Sequence, residues 1–142
     1  MRYLGLDLGT KTLGIAISDA LGLIANPMKT IRYTTYEELS LEIASLIKEY
    51  EIGGIALGLP KNMDNSMGFA SQRSIEFKEF LSKHVDVPIK LIDERLSSVE
   101  AEKYLLEADM SRKKRKDHID AVAASVILNT YLRMKGNDKY EK

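Results

Sequence analysis

The carboxylates that interrupt apolar stretches of this chain are the residues best placed to do chemistry. Asp7 sits inside the run Leu4-Gly5-Leu6-Asp7-Leu8, and Asp93-Glu94-Arg95 closes the run that begins at Ile89. Asp120 stands between Ile119 and the small residues Ala121 to Ala124. Asp117 lies three positions before Asp120, which puts the two on one helical face. A strand seldom holds an ionised Asp among apolar neighbours without a partner, because burying an unpaired charge is costly. For Asp7 the candidates are Lys11, a metal ion or a structural hydrogen bond. Several carboxylates at one sheet edge raise one another's pKa and destabilise a fold, and a divalent cation reverses that penalty. Mg²⁺ takes only one or two protein carboxylates plus waters and phosphate oxygens, so a sparse acidic set suffices. Two such ions about 3.5–4 Å apart activate water and stabilise a leaving oxygen in phosphodiester cleavage. With no cysteine and two histidines, a dedicated zinc site is disfavoured. Ordinary roles compete with this reading. Glu94 can pair with Arg95 or cap a helix, and Asp117 can be a first-turn acid favoured by the helix dipole. The basic run Arg112-Lys113-Lys114-Arg115-Lys116 can be solvated charge or a nucleic-acid contact, and His84 and His118 read as surface residues.

The elements that must position these groups follow from periodicity and punctuation. Leu4–Leu8 and Leu13–Ile17 are strand-length apolar runs hinged by Gly9-Thr10-Lys11-Thr12, and a third extended segment runs from Leu23 to Tyr33. Short turns make these three an antiparallel meander, with Pro27 marking an edge or irregular position. Thr35 and Glu38 have capping-box spacing, and Leu39, Ile43, Leu46, Ile47 and Tyr50 recur at helical intervals until Gly53-Gly54 stops the helix. Ile55–Leu59 is a continuous apolar strand suited to burial on both faces, ended by Pro60. A polar loop with Asn62, Asp64, Asn65 and Ser66 leads to a second helix from about Met67 to Lys83, which buries Phe69, Phe77, Phe80 and Leu81. Ile89–Asp93 is a fifth strand. Ser97 with Glu100 opens a third helix through about Glu107, and the last helix starts near Asp117 and ends by Gly136. The order β-β-β-α-β-α-β-α-α calls for an α/β fold, a mixed sheet with right-handed crossovers and helices packed on it. Ligands in such sheets gather beyond the carboxyl ends of the parallel strands, where Asp7, Gly58-Leu59-Pro60 and Asp93-Glu94-Arg95 should converge.

The 142 residues fit one domain over 1–136, with a polar tail at 137–142. A net charge of +0 gives no global attraction to nucleic acid, so any such binding must come from local patches. No apolar run approaches the ~20 residues of a membrane span, and the N-terminus goes directly into a strand without a signal-peptide pattern. With no cysteine, these features fit a cytoplasmic protein with no membrane partner.

Four segments in order, Asp7-Leu-Gly-Thr-Lys11-Thr-Leu-Gly14-Ile-Ala16, Gly58-Leu-Pro60-Lys-Asn62-Met-Asp64, Asp93-Glu-Arg95-Leu-Ser97 and Ile119-Asp120-Ala-Val-Ala-Ala124, resemble the YqgF/RuvX family of RNase H-like nucleases across essentially the whole chain. The resemblance implies a five-stranded mixed sheet with the second strand antiparallel and helices on both faces. It implies a nuclease dependent on Mg²⁺ or Mn²⁺ that acts in 5′-end maturation of pre-16S ribosomal RNA, with ribosomal precursor particles as partners. An older family label is Holliday-junction resolvase, which would make branched DNA the substrate. Carried over by motif, the catalytic and metal-binding acids are Asp7, Glu94 and Asp120, with Asp93 and Asp117 as further candidate ligands. Asp93 is the candidate structural member, since adjacent strand residues point to opposite faces. Lys11, Arg95 and the run Arg112, Lys113, Lys114, Arg115 and Lys116 are the candidate phosphate contacts. Three positions depart from the pattern: Thr12 where many members carry Arg, Asn65 where the loop usually has Gly, and Ser98 for a frequent Thr.

Two other classes compete. Asp7-Leu-Gly-Thr-Lys11 also resembles the first phosphate loop of actin-like kinases and ATPases, although the chain has no obvious second glycine-rich loop. A catalytically silent nucleic-acid-binding module would keep the fold and the basic surface without needing all three acids.

Overall fold

The computed structural model describes residues 1–60, 68–96 and 112–140, with the side chains of residues 96, 112–118 and 137–140 outside the description. Its elements are β1 (Arg2–Leu8), β2 (Thr12–Ser18), β3 (Ala25–Arg32), α1 (Tyr36–Tyr50), β4 (Ile52–Leu59), α2 (Phe69–Ser82), β5 (Ile89–Asp93), a single 3₁₀ turn (Glu94–Leu96) and α3 (Arg112–Tyr140). The expected polar loop with Asn62, Asp64, Asn65 and Ser66 lies outside the described residues, as does the expected helix from Ser97 to Glu107.

The five strands form one sheet in the order β3-β2-β1-β4-β5. β1 pairs antiparallel with β2 and parallel with β4, so the expected mixed sheet with an antiparallel second strand is present. β3 is an edge strand, and its pairing skips Met28 between Ile15↔Lys29 and Ala16↔Pro27. Pro27 has no N–H to give to a ladder, and an edge position with a bulge accommodates it.

Strand alternation divides the side chains between two cores. Leu4, Leu6, Leu8, Leu13 and Ile15 pack with Leu39, Ile43, Leu46, Phe77 and Leu81 of α1 and α2. On the other face, Ala16, Ala56 and Ile92 pack with Ala123, Ala124, Ile127, Leu128 and Tyr131 of α3. The α3 face is lined with small residues because the helix lies very close to the sheet. A methyl group in place of the Gly5 hydrogen would fall 2.5 Å from the Ala124 carbonyl oxygen, and one at Gly14 would fall 2.0 Å from that of Asp120. Only glycine permits such an approach.

Several boundaries differ from the sequence reading. Thr35 caps α1, its hydroxyl accepting from the Glu38 N–H at 3.3 Å, but the Glu38 carboxylate returns to the N–H and hydroxyl of Thr34 (3.1 and 2.8 Å). Those bonds hold the Glu38 carboxyl below its ordinary pKa. The helix stops at Glu51, which adopts the left-handed conformation (φ 54°) and gives its N–H to Ile47 O; Gly53 and Gly54 belong to β4 instead. Phe69, expected to be buried, is 88% exposed, because the inward stripe of α2 is Ser71, Ser74, Phe77 and Leu81. α3 begins at Arg112, ahead of the expected start near Asp117, and passes Gly136 to reach Tyr140. Lys and Arg are good helix formers, so the basic run extends the helix instead of preceding it.

Candidate active site

Asp7 is the next-to-last residue of β1, half-buried, and pairs directly with Gly14 of β2. Gly5 faces Ala124 and Leu128 of α3, so alternation turns Asp7 to the same face two residues further along. The parallel register Leu6↔Leu57 sets Gly58 beside Asp7 on its other flank. The row Gly14–Asp7–Gly58 therefore crosses three strands with one carboxylate between two positions that lack side chains.

Each clearing is occupied by one of the other predicted acids. Over Gly14 lies the backbone of α3: an added methyl would be 2.0 Å from the carbonyl oxygen of Asp120, 2.3 Å from its carbonyl carbon and 2.9 Å from the N of Ala121. Thr12 Oγ1 donates to Asp120 Oδ2 at 2.9 Å and orients that carboxylate. Over Gly58, an added methyl would lie 3.2 Å from Glu94 Oε1 and 3.4 Å from its Cδ, with Ile127 Cδ1 at 2.5 Å. Asp7, Glu94 and Asp120 thus share the α3 face at the carboxyl end of the parallel strands. Among the described residues, no three His, Asp or Glu side chains draw together into a ready-made metal cluster. The donor set is carboxylate oxygen, which suits a hard divalent cation, and the two glycines beside Asp7 let the residues bearing the other two acids approach it.

Asp93 has a different surrounding. Its Oδ1 accepts from the backbone N–H of Arg95 at 3.0 Å, and both carboxylate oxygens accept from the Arg95 guanidinium, the shortest contact being 2.6 Å. The neighbouring carboxylate raises the Arg95 pKa. This pair ties the 3₁₀ turn to the end of β5. Ile92 packs in the α3-side core, so alternation turns Asp93 to the opposite face, whereas Glu94, the first residue of the turn, reaches Gly58. The ion pair with Arg95, one of the ordinary roles open to Glu94, is made by Asp93. Arg95, predicted as a phosphate contact, has its guanidinium in that pair.

Lys11 is exposed on the β1–β2 turn. The turn is closed by Gly9 N–H to Thr12 O (2.8 Å) and pinned from β3, where the Tyr33 N–H bonds to Lys11 O (3.0 Å) and the Tyr33 hydroxyl donates to Gly9 O. Arg112 to Lys116 and Asp117 lie in the first turns of α3, with side chains outside the described residues. His84 is exposed and stacks on Phe80 at 4.5 Å between ring centroids. Gly58 lies at this edge as the sequence predicts, whereas Thr12, Gly14 and Tyr33 are residues there to which the sequence assigns no place in the site. The role of Thr12 leaves no local signal, because its partner Asp120 is 108 positions away.

A family model, RuvX, described as Holliday junction resolvase, matches residues 1–134. A protein of Halothermothrix orenii named "Putative pre-16S rRNA nuclease" is 52% identical over 132 residues, covering 93% of this chain and 94% of its own. A protein of Halalkalibacterium halodurans with the same name is 52% identical over 134 residues, covering 93% and 96%. Among solved structures, T. thermophilus RuvC in complex with Holliday junction substrate aligns with a TM-score of 0.59 at 12% identity, over 94% of this chain and 96% of that one. The fowlpox virus Holliday junction resolvase aligns at 0.51 and 14% identity, over 94% and 99%. At such identities these two structures bear on the fold, which they share with this chain.

Proposed function

The chain belongs to the RuvX family and is a nuclease on that ground, and from that premise we propose that it hydrolyses phosphodiester bonds with Mg²⁺ or Mn²⁺ held by Asp7, Glu94 and Asp120. The observation that carries the proposal is the row Gly14–Asp7–Gly58, with Asp120 over one glycine and Glu94 over the other. A divalent cation bound there supplies water activation and charge stabilisation of the leaving oxygen. The chain's own residues do the positioning. Thr12 fixes the Asp120 carboxylate, and the Asp93–Arg95 pair fixes the turn that presents Glu94. Lys11 and the run Arg112 to Lys116 supply phosphate contacts, which makes binding fall steeply with salt.

Precursor 16S ribosomal RNA is the favoured substrate, because relatives at 52% identity carry that activity in their name. Ribosomal precursor particles and a cytoplasmic location go with that reading. Among the described residues, no helix is long and apolar enough to cross a membrane. Branched DNA is the second reading, favoured by the description of the matching family model.

Incubation of the full chain with a pre-16S 5′ leader and with a four-way DNA junction, each with and without Mn²⁺, tests both. The leader should be cut only with metal, and Asp7→Asn should lose at least about 100-fold in rate, the upper end of what even outer-shell changes cost a metal site. Cleavage undiminished in Asp7→Asn would sink the catalytic assignment. Cutting of the junction alone would make branched DNA the substrate. Binding without cutting of either would return the chain to the silent nucleic-acid-binding class.

A further inference from the structure

The turn that follows Asp7 has a second side. A cleft of about 490 Å³ opens there between α1 and α2, lined among others by Thr10, Tyr33, Tyr36, Phe69, Arg73 and Glu76. It lies at the same end of the sheet as the acids but towards the α1–α2 layer, with the turn Gly9–Lys11 between the two. Its inner wall is aromatic and firmly held. The Tyr33 hydroxyl donates to Gly9 O, the Tyr33 and Tyr36 ring centroids are 6.1 Å apart, and Tyr36 packs on Phe77 at 5.1 Å and on Phe80 at 6.0 Å. Its mouth carries Phe69, 88% exposed at the first turn of α2. A phenylalanine so exposed contributes little to the core, and here it lines a cleft whose polar groups include the Arg73 guanidinium, the Glu76 carboxylate and the Gln72 amide.

That combination suits one chemistry. Flat rings offer a stacking surface that tolerates any base, and an arginine plane adds cation–π attraction. The adjacent guanidinium, amide and carboxylate can donate to and accept from the edge of an unpaired base. The volume falls in the range of small-ligand clefts.

We propose that this cleft receives an unpaired nucleobase of the strand whose phosphodiester lies at Asp7, the strand crossing the turn past Lys11. The proposal rests on the nuclease reading and gives it a substrate class: single-stranded nucleic acid next to the cleaved bond, in preference to continuous duplex.

The chain contains no tryptophan, so Phe69→Trp creates a single indole reporter at the cleft mouth. The full-length variant is titrated with an oligouridylate, an oligothymidylate and an abasic oligonucleotide of the same length. Quenching by the base-bearing strands and not by the abasic strand is expected, and the stronger of the two distinguishes an RNA from a DNA source. In parallel, anisotropy with labelled oligonucleotide should show Phe69→Ala binding on the order of tenfold more weakly than wild type, the effect of losing one stacked base. Its Tm should be unchanged, since the ring is exposed. Equal quenching by the abasic strand, or Phe69→Ala binding like wild type, overturns the proposal. Because binding is read without cleavage, this outcome is separate from the Asp7→Asn test: the cleft can fail while Asp7 proves catalytic, and the reverse.

Discussion

Replacing Gly14 by Ala should be far more damaging than a single methyl group ordinarily is. The added carbon would sit 2.0 Å from the Asp120 carbonyl oxygen, where 3.4 Å is the lower edge of ordinary van der Waals contact. The required retreat is 3.4 − 2.0 = 1.4 Å, and what must retreat is helix backbone, not the end of a flexible side chain. Overpacking of a core costs about 1–3 kcal/mol, occasionally more, and a backbone obstacle puts this case at about 3 kcal/mol. With about 4 °C lost per kcal/mol in a domain of this length, the midpoint of thermal unfolding should fall by roughly 12 °C. Gly136→Ala is the internal control, because nothing lies within 4 Å of the added methyl. Relieved of glycine's entropy in the same helix, it should gain about 1 kcal/mol and roughly 4 °C. Circular dichroism melts of the three proteins decide the matter. Since a misplacement of about 1 Å in catalytic geometry can cost on the order of 100-fold, Gly14→Ala should also lose about that much cleavage rate at a temperature where it remains folded. A Gly14→Ala midpoint within about 2 °C of wild type would refute the close approach of α3 to β2 and the anchoring of Asp120 argued from it.

Two further outcomes follow from individual contacts. Thr12→Val removes the donor to Asp120 Oδ2 and should lower the cleavage rate with a stability loss of only about 1 kcal/mol, while Thr12→Ser, which keeps the hydroxyl, should restore the rate; equal rates for Val and Ser would exclude a positioning role. The Asp19 carboxyl is held below its ordinary pKa of 3.8 chiefly by the backbone N–H groups of Ile24 and Leu23. A pKa lower in the folded than in the unfolded chain gives stability that is fully present above the unfolded value and is lost as pH falls through the folded one. The Tm difference between wild type and Asp19→Asn should therefore be constant above about pH 5 and shrink below about pH 4; a difference independent of pH would contradict it.

Much of the framework was legible because it is dictated locally. Strand-length apolar runs hinged by a glycine-led turn located β1 and β2, a β-disfavoured Pro27 marked the bulged edge, and Thr35 with Glu38 marked the start of α1. The face of Asp93 was legible too, since alternation from Ile92 turns it away from α3, but Glu94 lies in the 3₁₀ turn, beyond the reach of strand alternation. What was not legible depends on tertiary surroundings. Nothing in the order Tyr50-Glu51-Ile52-Gly53-Gly54 shows that the non-glycine takes the left-handed position while both glycines enter a strand. Phe69 has a core-like side chain, and only the direction of α2 reveals it as exposed. A run of five cations resembles a boundary, yet it continues α3, because helix propensity there exceeds any break signal. Thr12 and Asp120 meet only through docking of the final helix.

That docking has a consequence for timing. The 108 residues between Thr12 and Asp120 take roughly 5–20 s to synthesise at 5–20 residues per second. Throughout that interval β1 and β2 have been made, but the helix that covers Gly5 and Gly14 has not. A truncated product that stops short of α3 has Asp7 and Glu94 without Asp120. The Thr12–Asp120 bond, and the close approach of α3 to β1 and β2, therefore form only after the whole of that interval has passed.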